Sequence, residues 1–223
     1  IELAILRGEI ELAAKDSNAA AVAFKRANEL AASPRAGFGL ARAYLLGKDY
    51  AKAKESVGQV IAKSPQHAGA LILRAAVTWQ TTHDDASALR DLAQVLEGPA
   101  KVNAGVAELS RAYSTKGWIM LGKERAGDAR ASFDEAVKLD GRNVSALVGQ
   151  AEILFAENRF TESLSRFDTA VGADPTSVDA IVGDAKAKIA LERLKDAKEQ
   201  LTAARAANPK DMRVALWLGK AEE

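Results

Sequence analysis

The sequence predicts an all-α protein, a single array of antiparallel helix pairs running through all 223 residues. Three observations carry that prediction. Alanine makes up roughly a fifth of the chain, which favours helix throughout, and long β-branched runs are scarce. Apolar residues account for 48% and charged residues for 27%, with only five prolines, a mixture too apolar for a disordered chain. The third is an internal repeat, the feature that decides the architecture. Phe160, Ser163, Phe167, Ala170 and Pro175 return as Leu194, Ala197, Leu201, Ala204 and Pro209, an interval of 34 residues from 175 to 209. One interval upstream stand Ala126, Ala129, Phe133, Ala136 and Gly141, with Gly in place of Pro as the helix stop.

This unit resembles the tetratricopeptide repeat, a helix–turn–helix of about 34 residues with small residues at two crossings, an aromatic between them and a terminal Pro. The small residue at the eighth position of the first helix, helix A, is Gly117, Ala151, Ala185 and Gly219. The small residue at the twentieth is Ala129, Ser163 and Ala197, and the large residue at the twenty-fourth is Phe133, Phe167 and Leu201. The resemblance implies a right-handed superhelical solenoid, with helix A of each unit lining a concave face and helix B the convex one. Such pairs cannot bury their apolar stripe alone, so each stacks on its neighbour.

In chain order the array reads as follows. Residues 1–33 carry Gly8, Ala20, Phe24 and Ala27; residues 34–67 carry Leu40, Ala41, Tyr44, Tyr50, Ala53, Val57, Val60 and Pro65. Ala27 to Leu40 is one residue short and Pro34 falls late, which predicts a tightened turn. Residues 68–101 follow with Ala88, Leu92 and Val95, their register ambiguous by one residue around Leu71 and Ile72. An insertion over about 98–109 begins at Gly98-Pro99, a helix-stop signal. It reads as a longer loop or a lengthened helix A starting near Lys101, or else as a hinge or partner-contacting element. Regular repeats resume over 110–143, 144–177 and 178–211, and 212–223 is a terminal helix, either a cap or the start of a seventh repeat. The chain opens inside one helical pattern (Ile1, Leu3, Ile5, Leu6) and closes inside another (Val214, Leu216, Leu218), which reads as a fragment of a longer chain.

Composition excludes several function classes. Lys plus Arg number 31 against 30 for Asp plus Glu, far from the basic balance of a nucleic-acid binder. With no cysteine there is neither disulfide nor thiolate chemistry, and both a cytoplasmic and a periplasmic setting remain open. No window approaches the roughly 18 apolar residues of a membrane span, so the chain reads as soluble, with no membrane insertion. The alanine-rich, cysteine-free composition suits a bacterial protein of an envelope, secretion or motility complex.

Candidate chemistry is thin, and the reading is of a protein that is not an enzyme and takes no cofactor or metal. Gly117 to Glu124 has the glycine and lysine spacing of a phosphate-binding loop, but Glu124 stands where Ser or Thr is needed, and Trp118, Ile119, Met120 and Leu121 crowd the middle. Gly37-Phe38-Gly39 is too short for a dinucleotide fingerprint. His67 and His83 are the only histidines; His83 with Asp84 and Asp85 reads as a capping turn rather than a ligand set.

In the family this sequence resembles, the second, fifth, ninth and twelfth residues of helix A commonly face the groove. Carried over, that pattern marks Arg35, Phe38, Arg42, Leu45, Arg111, Trp118, Val148, Glu152, Phe155, Val182, Lys186 and Ile189, with Trp79 and Ile72 from the third unit; Ser114, Ser145, Asp179 and Leu121 occupy further such positions. The expected groove is apolar with mixed charge, Trp118 its most prominent anchor and Arg35, Arg42 and Arg111 an electropositive flank. It lacks the Lys at the fifth and Asn at the ninth position with which chaperone-tail-binding members clamp a terminal carboxylate. Two functions stay open: an interaction module, scaffold or adaptor holding a protein or peptide segment, and an architectural or self-associating spacer attached to another, possibly enzymatic, domain.

Overall fold

The computed structural model describes residues 1–222, and every regular element among them is helical. Helix pairs follow one another in chain order. The first three are α1 (Glu2–Ala13) with α2 (Ser17–Leu30), α3 (Pro34–Leu46) with α4 (Tyr50–Lys63), and α5 (Ala68–Thr82) with α6 (Asp85–Leu96). After a 3₁₀ turn at Pro99–Asn103 come α7 (Val106–Gly122) with α8 (Ala126–Leu139), α9 (Val144–Ala156) with α10 (Phe160–Ala173), α11 (Val178–Ala190) with α12 (Leu194–Ala207), and α13 (Met212–Glu222). Packing divides the chain into two compact units, Ile1–Thr115 and Lys116 onward, with the division inside α7. No helix among the described residues is long and apolar enough to cross a membrane.

Local chemistry sets the helix boundaries. Ser33, His67, Asn143 and Ser177 cap α3, α5, α9 and α11, each side chain accepting from the backbone N–H three residues on. Asp16, Asp49 and Asp84 do the same for α2, α4 and α6. In the second unit Arg125, Arg159 and Arg193 take that place and pair instead with Asp128, Glu162 and Asp196 in the first turn. The turn inside each pair passes through one left-handed residue: Lys15, Lys48, His83, Glu124, Asn158 or Glu192, with φ between 51° and 60°.

The cores lie between repeats. In the first unit Ile5, Phe24, Ala36 and Ala43 join α1, α2 and α3, and Ala41, Val57, Val60, Leu73 and Val77 join α3, α4 and α5. In the second, Leu147, Ala151, Phe167 and Ala180 join α9, α10 and α11; Val182, Ala197, Leu201 and Val214 join α11, α12 and α13. Small residues permit the close approach: a Cβ on Gly8 would stand 2.7 Å from the Phe24 ring, and one on Gly117 2.5 Å from Phe133. Ser163, the polar member of the twentieth position, donates its hydroxyl to the Ala151 carbonyl at 2.9 Å, so its burial leaves no donor unsatisfied.

Three irregularities of the sequence find physical forms. The tightened junction is the three-residue link 31–33, with Pro34 as first residue of α3, where its missing N–H costs nothing. The ambiguous third register comes from α5, which runs to 15 residues against 13 for α3. Leu71 and Ile72 are both buried there. The insertion is a 3₁₀ turn anchored by buried Ala100, followed by a lengthened helix A that starts at Val106 rather than near Lys101.

Candidate functional site

A groove of about 760 Å³ opens in the second unit across the A helices α9 and α11, bounded by the end of α7 and by α13. Its walls carry Trp118, Leu121, Ser145, Val148, Glu152, Asp179, Val182 and Lys186, every one at a second, fifth, ninth or twelfth position, together with Arg213 and Trp217. Val148 and Val182 are only 5% and 7% exposed, so they form the floor and also belong to the core. Trp118 is half-buried at one side. Its ring meets Phe133 edge-on at 5.4 Å, and its indole N–H donates to the Ser145 hydroxyl at 2.9 Å.

The charges in this groove are matched across neighbouring A helices. Lys186 contacts both Glu152 oxygens at 3.0 Å, and its ammonium lies 4.9 Å from the Phe155 ring and 5.9 Å from that of Trp217. Arg213 pairs with Asp179 and with Asp211. Hydrogen bonding to Asp211 above all, then to Asp179, holds the Arg213 guanidinium still more firmly protonated than usual. Lys220 adds a further cation 4.2 Å from the Trp217 ring. The groove therefore offers aromatic and aliphatic surface with its principal charges already satisfied.

The remaining sequence-marked residues lie elsewhere. Phe155 packs against Phe160 at 5.1 Å, and Ile189 packs on the core of the last repeat. In the first unit Phe38 rests 4.9 Å from His67 and close over Gly69, Leu45 packs on the core below, and Trp79 is half-buried on α5. The electropositive flank needs correction: Arg35 pairs with Glu2 at 3.0 Å and Arg42 with Glu9 at 2.9 Å, so their charge is matched by carboxylates of α1. Arg111 is exposed and donates to the Ala107 carbonyl within its own turn. Ser114 is a core residue, 3% exposed, its hydroxyl bonded to the Arg111 carbonyl.

Two groove residues escaped the positional reading. Arg213 is the second residue of α13, 34 residues after Asp179, and one more step of the repeat finds it. Trp217 occupies the sixth position, where Gly39, Gly149 and Gly183 stand in earlier repeats. A Trp at a glycine position was the available signal.

The phosphate-loop lookalike is the end of α7, with Gly117 beneath Phe133 and Glu124 in the following turn. His83 ends α5 and Asp84 caps α6. No group of three or more His, Asp or Glu among the described residues is arranged to hold a metal ion.

Comparison with curated proteins gives no match. Family models described as tetratricopeptide repeat match residues 114–178 and 154–221. Among solved structures, Pseudomonas aeruginosa pilF is similar at TM-score 0.68 and 16% identity, covering 100% of this chain and 97% of that one. A tetratricopeptide repeat protein from Parabacteroides merdae matches at 0.75 and 15%, covering 100% and 84%. PilW, described as a type IV pilus biogenesis factor, matches at 0.69 and 16%, covering 97% of each. Tetratricopeptide repeat models thus match residues 114–221, and the likeness to these solved structures shows that the chain has the tetratricopeptide repeat fold.

Proposed function

We propose that the chain is a non-catalytic interaction module, a scaffold or adaptor whose groove across α9 and α11 holds a segment of a partner protein. The observation that carries this reading is the groove itself: two tryptophans, Trp118 and Trp217, flank an aliphatic floor of Val148 and Val182, while Glu152–Lys186 and Asp179–Arg213 neutralise the rim. Large amphipathic rings beside a neutral floor suit an apolar segment of low charge. A terminal acidic tail is disfavoured, because the groove cations already face carboxylates.

The test is a selection of displayed peptides on the native chain, repeated on Ser145→Arg, which places bulk at the exposed groove rim, and on Thr161→Arg, which changes exposed α10 surface outside it. Enriched peptides should be apolar and weakly charged, bind Thr161→Arg as they bind the native chain, and lose binding to Ser145→Arg. Peptides that bind both variants equally well contradict the proposal.

A further inference from the structure

We infer that the segment held across α9 and α11 is proline-rich and lies in the extended polyproline II form, an inference that rests on this groove being the binding site. The groove runs from Trp118 and Leu121 on α7, past α9 and α11, to Arg213 and Trp217 on α13. Three steps of about 8–10 Å between neighbouring packed helices make it about 24–30 Å long, so its volume of about 760 Å³ leaves a cross-section of roughly 25–30 Å². A helix about 10–12 Å across with its side chains needs roughly 80–110 Å². A polyproline II segment, rising about 3.1 Å per residue, spans the same length with about eight to ten residues.

The hydrogen-bonding groups of the walls then select proline. The carboxylates are engaged: Glu152 presents both oxygens to Lys186, and Asp179 faces Arg213. The donors are not. The Ser145 hydroxyl accepts the Trp118 indole N–H and the Ser177 hydroxyl accepts the Ala180 N–H, yet neither gives its own proton to an acceptor among the described residues. The Trp217 indole N–H likewise meets no acceptor among them, and its ring stands against α11, 5.9 Å from the Lys186 ammonium. An ordinary extended segment brings one N–H with every carbonyl, and over the aliphatic floor of Val148 and Val182 an N–H finds nothing to accept it. Proline brings the carbonyl alone. Its carbonyls accept from Ser145, Ser177 and Trp217, while its rings pack on the tryptophan faces and the valine floor, as prolines do in aromatic-lined grooves.

Two displayed nonapeptide libraries test this, alike except that one fixes proline and the other alanine at every third residue, one turn of the polyproline II helix. Each is selected on the full chain, on Ser145→Arg and on Thr161→Arg. Peptides that fail on Ser145→Arg and keep binding Thr161→Arg should come from the proline library, and their synthetic forms should lose at least about tenfold in affinity when proline is replaced by alanine. Groove-dependent peptides arising equally from the alanine library, or synthetic peptides indifferent to that replacement, overturn the inference and leave the groove as a binding site. Enrichment from neither library also overturns it, and the groove itself loses its binding role only when the unrestricted peptide selection fails as well.

Discussion

The Phe167 ring lies against the bare backbone of Gly183 in the next helix A, so closely that any β-carbon there overlaps ring atoms. Phe24 meets Gly39, and Phe133 meets Gly149, in the same way. A glycine inside a helix costs about 0.5–1 kcal/mol relative to alanine, so its recurrence here reflects what it admits: a wholly buried aromatic ring joining two repeats. Phe167→Ala should destabilise the second unit by about 3–5 kcal/mol in urea unfolding. Gly183→Ala should cost about 1–3 kcal/mol by overpacking, and less in a Phe167→Leu background, because the two residues share one space. Additive losses contradict this coupling.

Much of the fold was legible in the sequence. The eighth, twentieth and twenty-fourth positions marked the crossings and the inter-repeat rings, because Ala, Gly and Phe recurring every 34 residues is the mark of stacked helix pairs. The glycines at the sixth position are silent in sequence, although Gly149 and Gly183 stand one period apart; only the neighbour's ring reveals why they are bare. The candidate groove was less legible, since position within the repeat says which way a residue faces while burial and pairing are three-dimensional quantities. Arg35 and Arg42 read as free positive charge because their partners, Glu2 and Glu9, lie 33 residues away in sequence and adjacent in space.

The helix-pair turns hold a non-glycine residue in the left-handed region, which costs roughly 1–2 kcal/mol before any gain from flexibility is counted. Glu192 has φ of 59° and is exposed. Glu192→Gly should raise stability by about 0.5–1 kcal/mol, and Asn158→Gly by less, since Asn tolerates this conformation. Thermal unfolding of both variants checks the order.

Asp184 is fully buried between α10, α11 and α12, with Oδ2 at 2.5 Å from the Lys188 ammonium and Oδ1 meeting no donor. Burial pushes its pKa up, opposed by Lys188 and reinforced by the nearby Asp168 carboxylate. The folded state thus binds this proton more tightly than the unfolded state. The site's contribution is full below the ordinary carboxylate pKa and is lost as pH rises through the elevated one, with a slope of at most about 1.4 kcal/mol per pH unit. Asp184→Asn removes that loss, so the stability of the variant relative to the native chain should improve between acid and neutral pH. A decline over that interval contradicts the assignment.

The Glu152–Lys186 pair, 31% and 20% exposed at its side chains, bridges the groove walls. A double-mutant cycle with Glu152→Gln and Lys186→Met should return a coupling of about 0.5–1 kcal/mol that shrinks as salt is added. Glu152→Gln alone leaves Lys186 unmatched and should shift peptide selection toward acidic sequences. An unchanged peptide profile would show that these charges do not shape the groove's preference.

The most direct measurement of the binding role follows the three tryptophan indole N–H resonances as a selected peptide is titrated into the chain. Trp118 and Trp217 flank the groove, while Trp79 on α5 lies in the other unit and serves as an internal reference. The account predicts saturable shifts at Trp118 and Trp217 with Trp79 unmoved. Saturable binding that moves Trp79 alone, or none of the three, would contradict it.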